Sequence, residues 1–157
     1  MKKWKLYEWS VIVFFLVVPL CAAMIEMKVS SPDAAMADVI FKWFVFSGIG
    51  LRLGSAGIKQ IFQPGFTARE IFGISDEKAG ALVREIGCSN ICFAVIALLS
   101  VHFGGFREPA AVCGGLYFGL AGLLHIFKRG KNADEKFAMV SDGFVFIVLL
   151  ALMILVR

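Results

Sequence analysis

The run Phe137–Val156, FAMVSDGFVFIVLLALMILV, decides the fold of this chain. Its twenty residues include a single charge, Asp142, and no proline. At about 1.5 Å per helical residue such a run covers roughly 30 Å, the thickness of a bilayer's hydrocarbon core. Unbroken apolarity over that length marks a membrane-spanning helix, since a half-buried strand would alternate with period two.

Four further stretches of this kind lie upstream, at about 6–27, 38–60, 80–104 and 109–128. Together they predict an all-α, polytopic transmembrane bundle of five spans, with residues 1–157 forming one helical domain. Composition agrees: 59% of the 157 residues are apolar, 18% are charged and the mean hydropathy is +0.82. Soluble domains are about 45–50% apolar. The sixteen phenylalanines are spread through the apolar runs and not gathered into alternating ten-residue strands, which argues against an outer-membrane barrel.

Helix signals sit at the span ends. Ser31-Pro32-Asp33 supplies an N-cap, a first-turn proline and an acid for the second span, and Ser75-Asp76-Glu77 does the same for the third. Glu108-Pro109 opens the fourth, and Asn132 with Glu135 three residues later forms a capping-box pattern before the fifth. After the breaker Gln63-Pro64-Gly65, the pattern Thr67 to Glu70 followed by Ile71, Phe72 and Ile74 predicts a short interfacial helix over about 67–74, with a plain lipid-touching loop as the alternative. The first span follows Lys2, Lys3 and Lys5 as a secretory signal would. Its apolar run is longer than a signal core, so it is read as a retained helix bent at Pro19.

The net charge of +4 has its explanation in topology. Lys2, Lys3, Lys5, Lys59, Arg69, Lys78, Arg84, Lys128, Arg129, Lys131 and Lys136 fall on one side of the predicted membrane, and only Lys28, Arg107 and Arg157 on the other. That bias places the N-terminus in the cytoplasm and the C-terminus outside, in a cytoplasmic (inner) membrane. Trp4, Tyr7 and Trp9 then lie in the inner aromatic belt and Trp43 near the outer one. The expected partner is the lipid bilayer. Nucleic acid is not expected, because no basic patch with interleaved aromatics lies outside the spans.

Close helix approach in lipid depends on small residues, because lipid tails give no hydrophobic drive for association. Gly50, Gly54 and Gly57 form one groove on the second helix, and Gly115, Gly119 and Gly122 another on the fourth. Both are read as packing within the bundle, with homo-oligomer contact as the alternative. Cys21, Cys88, Cys92 and Cys113 are read as small buried apolar side chains. No CxxC pair and no His at ligand spacing accompanies them, so no metal site is expected.

Ionisable groups within spans cost several kcal/mol unless paired or hydrated, and so mark candidate sites. Arg52, Glu85, His125 and Asp142, with Asn90, are those groups; Glu8 is placed at the interface beside Trp9. Measured from the basic side, Arg52 lies ~10 Å deep, Glu85 ~7 Å, His125 ~5 Å and Asp142 ~9 Å, which predicts one polar cluster in the inner leaflet.

The elements Gln63-Pro-Gly-Phe-Thr-Ala-Arg-Glu-Ile-Phe-Gly73, Arg84-Glu-Ile-Gly-Cys-Ser-Asn90, Gly119-Leu-Ala-Gly-Leu-Leu-His125 and Val140-Ser-Asp142 resemble a family of small prokaryotic membrane proteins catalogued as a domain of unknown function and loosely similar to DoxX-like proteins. The resemblance covers roughly residues 40–157. It implies site positions at Glu85, Gly87, Asn90, His125 and Asp142, and no activity. No nucleophile–base pair, phosphate loop or metal signature is present in the sequence. The expectation is a non-enzymatic accessory subunit of a larger membrane complex, or a bundle handling a small solute or ion. A small redox or quinone-binding subunit is the alternative.

Overall fold

A computed structural model of the chain describes residues 6–29, 35–76 and 78–156. Lys2, Lys3, Trp4, Lys5, Ser31-Pro32-Asp33, Glu77 and Arg157 lie outside the described residues. Five helices are long and apolar enough to cross a membrane: α1 (Glu8–Val29), α2 (Met36–Phe62), α4 (Ala79–Leu99), α5 (Gly104–Phe127) and α6 (Ala133–Leu155). A short helix, α3, spans residues 64–71 between α2 and α4. Leucines, isoleucines and valines cover the outside of the bundle, among them Leu20, Ile25, Leu116, Leu120, Ile147 and Ile154, all at least half exposed. That surface suits lipid and would be a liability in water.

Several boundaries differ from the sequence reading: the fourth span opens at Gly104 and the fifth at Ala133, five and four residues before the starts read at 109 and 137. The third span stops at Leu99, five residues early, because His102 and Phe103 both turn their N–H groups back onto the Leu99 carbonyl. The chain then enters α5 through a 3₁₀ turn at Gly104–Phe106. The short helix starts at Pro64 and not at Thr67: proline occupies the first helical position, where its missing N–H costs nothing. Gly73, with φ 69°, ends it and lets the Ile74 N–H reach the Ala68 carbonyl at 2.8 Å. The Asn132–Glu135 capping box forms as read, with the Glu135 N–H donating to Asn132 Oδ1 at 2.8 Å.

α1 bends through a widened turn at Val13–Val17, in which the Val18 N–H bonds the Val13 carbonyl five residues back. In that register the Phe14 carbonyl would take its bond from residue 19, which is proline and has no N–H. Ser47, wholly buried in a matching widened turn of α2 (Val45–Leu51), donates its hydroxyl to the Phe14 carbonyl at 2.6 Å. The proline defect of one helix is thereby closed by the serine of its neighbour.

Two close seams hold the bundle. Between α2 and α4, a methyl group added at Gly57 would sit 2.7 Å from the Gly87 carbonyl oxygen, one at Gly50 2.8 Å from Leu98, and one at Gly54 3.4 Å from Ala94. Between α5 and α6, a methyl at Gly119 would meet the Phe146 ring at 2.8 Å, one at Gly122 the Gly143 nitrogen at 3.4 Å, and one at Gly115 Leu149 at 3.6 Å. Gly114, which the sequence reading did not single out, lies against Ile49 and joins the two seams. All the glycines read from the sequence thus pack inside one bundle.

Candidate functional site

The seams determine which polar side chains meet. Where Gly57 and Gly87 let α2 and α4 touch, Gln60 and Asn90 come level, and Asn90 Nδ2 donates to Gln60 Oε1 at 2.7 Å. Where Gly122 admits the α6 backbone, Asp142 is drawn to the α5 face and is only 9% exposed. The Arg52 guanidinium acts on the Asp142 carboxyl electrostatically from α2, while the neighbouring Ser141 hydroxyl donates to the Ala138 carbonyl at 2.9 Å. The Tyr117 phenol of α5 lies within electrostatic reach of Asn90, Arg52 and Asp142. Arg52, Asn90, Tyr117 and Asp142 therefore form one polar patch drawn from four helices, about a third to halfway along each.

Asn90 is 2% exposed, and its Oδ1 is a buried acceptor without a hydrogen-bond partner. An acceptor stranded in this way costs about 1–3 kcal/mol.

Glu85 does not join this patch. It is exposed, because it lies about 200° around α4 from Gly87, the residue that faces α2. Depth arithmetic fixes only a level along a helix. The small-residue face of Val83, Gly87, Asn90, Ala94 and Ala97, all buried, was the available signal for rotation. His125 lies partly buried at the end of α5, in the electrostatic field of Glu135, Lys128 and Lys131, and it is with those groups that the structure places it.

Glu8, read from the sequence as interfacial beside Trp9, is 2% exposed, on the face of α1 that also carries Val11 and Phe15. Phe15 packs edge-on against Phe118 of α5 at 6.0 Å, so Glu8 lies two turns nearer the basic end on the same inward face. The cysteines are also corrected: Cys21, Cys88, Cys92 and Cys113 are free and exposed on the outer, lipid-facing side. Among the described residues no group of three or more His, Cys, Asp or Glu side chains is placed to hold a metal ion.

A second polar group, not foreseen from the sequence, lies at the opposite end of the bundle. Glu26 of α1 accepts from Lys42 and, at 2.6 Å, from Trp43 Nε1 of α2. Asp38 of α2 accepts from Arg107 of α5 at 2.8 Å. Each acid there has its own base. At the basic end, Glu135 pairs with Lys128, whose amine also reaches the Phe72 carbonyl at 3.1 Å, while Asn132 Nδ2 donates to the Glu70 carbonyl at 3.1 Å. Those bonds fasten α3 to the α5–α6 loop.

Comparison with curated proteins and with solved structures finds no match. A family model does match, over residues 9–157. That match takes in Arg52, Asn90, Tyr117 and Asp142 as well as both glycine seams, and on it the chain belongs to the family of unknown function DUF6790.

Proposed function

We propose that the protein is a non-enzymatic membrane bundle that binds a small polar solute or ion at the Arg52–Asn90–Tyr117–Asp142 patch, on its own or as an accessory subunit of a larger membrane complex. The observation that carries this reading is the unpartnered Asn90 Oδ1, buried at the α2–α4 contact. A patch that served only to lock the bundle would gain by satisfying that acceptor. A ligand donor would satisfy it, while Arg52 offers a planar cationic fork and Asp142 an anionic one to the same guest.

Gentle extraction followed by small-molecule analysis of the denatured protein tests the reading. A polar solute or ion released from wild type and not from Arg52→Gln supports it. Equal release from both, or none from either, removes its basis. A bound quinone or a visible absorption band would replace it with the redox alternative.

The reading includes orientation in a prokaryotic inner membrane with the N-terminus inside. Support comes from the concentration of basic residues at one end, where Lys59, Lys78, Arg84, Lys128, Arg129, Lys131 and Lys136 lie. A reporter fused after Arg157 should be active outside the cytoplasm and one inserted at Gly130 inside; the reverse pattern for both would refute that orientation. Contact with a second copy or a larger complex would use the lipid-facing surface, since both glycine seams are filled within the bundle.

A further inference from the structure

The basic end of the bundle holds an open cavity of about 610 Å³ where α5 gives way to α6. Four cations line it, Lys128, Arg129, Lys131 and Lys136, on a loop reversed at Gly130 with φ 71°. Two of the four have structural duties. Lys128 is neutralised by Glu135, and Lys131 donates to the Lys128 carbonyl at 2.6 Å and the Ile126 carbonyl at 3.2 Å, closing the C-terminal end of α5. The acids Asp134 and Glu135 are turned inward, at 6% and 2% exposure, and neither lines the cavity. Arg129 and Lys136 are exposed, and neither is part of an ion pair. The remaining wall is apolar: Ile126 and Phe127 line it at 58% and 75% exposure, and Leu124, at 73%, continues that surface down α5 toward the hydrocarbon.

A cationic cup opening onto an apolar helix flank at a membrane surface matches an amphiphile with an anionic head. We propose that this cavity binds the phosphate headgroup of an anionic phospholipid, with Arg129 and Lys136 on the phosphate oxygens and the acyl chains along Leu124, Ile126 and Phe127. Arg129 can meet two phosphate oxygens at once through its guanidinium fork, and Lys136 adds a point charge from the first turn of α6. A free phosphate ion would use the cations and leave the apolar wall idle, so the lipid is the better fit. The site is separate from the mid-bundle patch, and its test does not depend on that patch binding anything.

The test is native mass spectrometry of the full chain in detergent, titrated with phosphatidylglycerol and, separately, phosphatidylcholine. Phosphatidylglycerol should bind at least tenfold more tightly. Arg129→Gln/Lys136→Gln should weaken it roughly thirtyfold, at about a factor of five for each charge removed near the surface. Arg69→Gln/Arg84→Gln, which removes the same charge from the same end but outside the cavity, should stay within about threefold of wild type. Millimolar inorganic phosphate should not displace the lipid. Melting curves without lipid check that each variant is folded, and Arg129→Lys/Lys136→Arg, which keeps both charges, should retain most of the binding. Should the double Gln variant not fold, Arg129→Gln alone carries the test, with a loss of about fivefold. Equal loss in the Arg69/Arg84 control would replace the site with a diffuse surface field. Equal binding of phosphatidylcholine, or displacement by inorganic phosphate, would overturn the anionic-lipid assignment.

Discussion

The two polar groups inside this bundle are built on different rules. At the Arg107 end, Glu26 is matched by Lys42 and Trp43, and Asp38 by Arg107. In the middle, Asn90 has a donor bond to Gln60 and a bare acceptor, and Asp142 and Tyr117 share the field of Arg52. Charges matched in this way resist change, because removing a partner leaves the other under-compensated. The middle leaves the Asn90 acceptor open, and the far end likewise holds a buried donor without a hydrogen-bond partner, Arg107 Nε. The contrast is between paired groups at the far end and, in the middle, the patch proposed above to bind a solute.

Both groups depend on the seams, so the largest effect is expected there. Gly57→Leu would drive a side chain into the Gly87 carbonyl, which is backbone and cannot rotate away. A loss of stability of about 4 kcal/mol or more is expected, read as a fall in melting temperature in detergent, with collapse of both polar groups. Gly119→Leu meets the Phe146 ring, which has some freedom, and should cost less. Leu120→Ala, at an exposed position, should leave melting nearly unchanged. If Gly57→Leu melts like Leu120→Ala, the α2–α4 contact is not close.

Next comes the far-end network. Lys42→Met leaves Glu26, whose side chain is only 23% exposed, with Trp43 Nε1 and no cation of its own, and should cost about 2 kcal/mol. Adding Glu26→Gln should recover part of that loss, and a double-mutant cycle measures the coupling. Arg52→Gln and Asp142→Asn together should change stability by less than about 1 kcal/mol, because one charge of each sign is removed together. Coupling in the middle larger than that at the far end would reverse that contrast.

The smallest expected effect concerns the joint between α1 and α2. Ser47→Ala removes the hydroxyl that serves the Phe14 carbonyl opposite Pro19 and should cost about 1 kcal/mol. Pro19→Ala/Ser47→Ala should recover most of it, because alanine restores the missing N–H. Unchanged melting of Ser47→Ala would show that water or backbone already serves that carbonyl.

The sequence discloses what is local or periodic here. Span existence follows from apolar length, the Asn132–Glu135 box from a three-residue pattern, and the inner seams from glycine spacing, and each is present in the structure. What stayed hidden was helix rotation. Glu85 and Asp142 lie at similar depths, yet one faces outward and the other inward. Glu8 was placed at the interface beside Trp9, which gives a depth and no rotation; Phe15 packing on Phe118 turns its face into the bundle. The cysteines were placed by residue type, and the rotation of each helix put them outside. The Glu26–Lys42 and Asp38–Arg107 pairs join different helices, and charge spacing along one chain does not disclose them. The Asn90–Gln60 bond was within reach of the sequence, since Gly57 and Gly87 mark the contact that brings those two residues level.

The most direct test is the melting temperature of purified protein across a panel of small anions, cations and zwitterions, for wild type, Lys42→Met, Arg52→Gln and Asn90→Leu in parallel. A ligand present at 100 times its dissociation constant stabilises by about 2.7 kcal/mol, a shift well above measurement error. At least one solute should raise the melting temperature of wild type and Lys42→Met alike while leaving Arg52→Gln and Asn90→Leu unmoved. A shift of the same size in Arg52→Gln and Asn90→Leu, or no shift in wild type from any solute, would contradict binding at the mid-bundle patch.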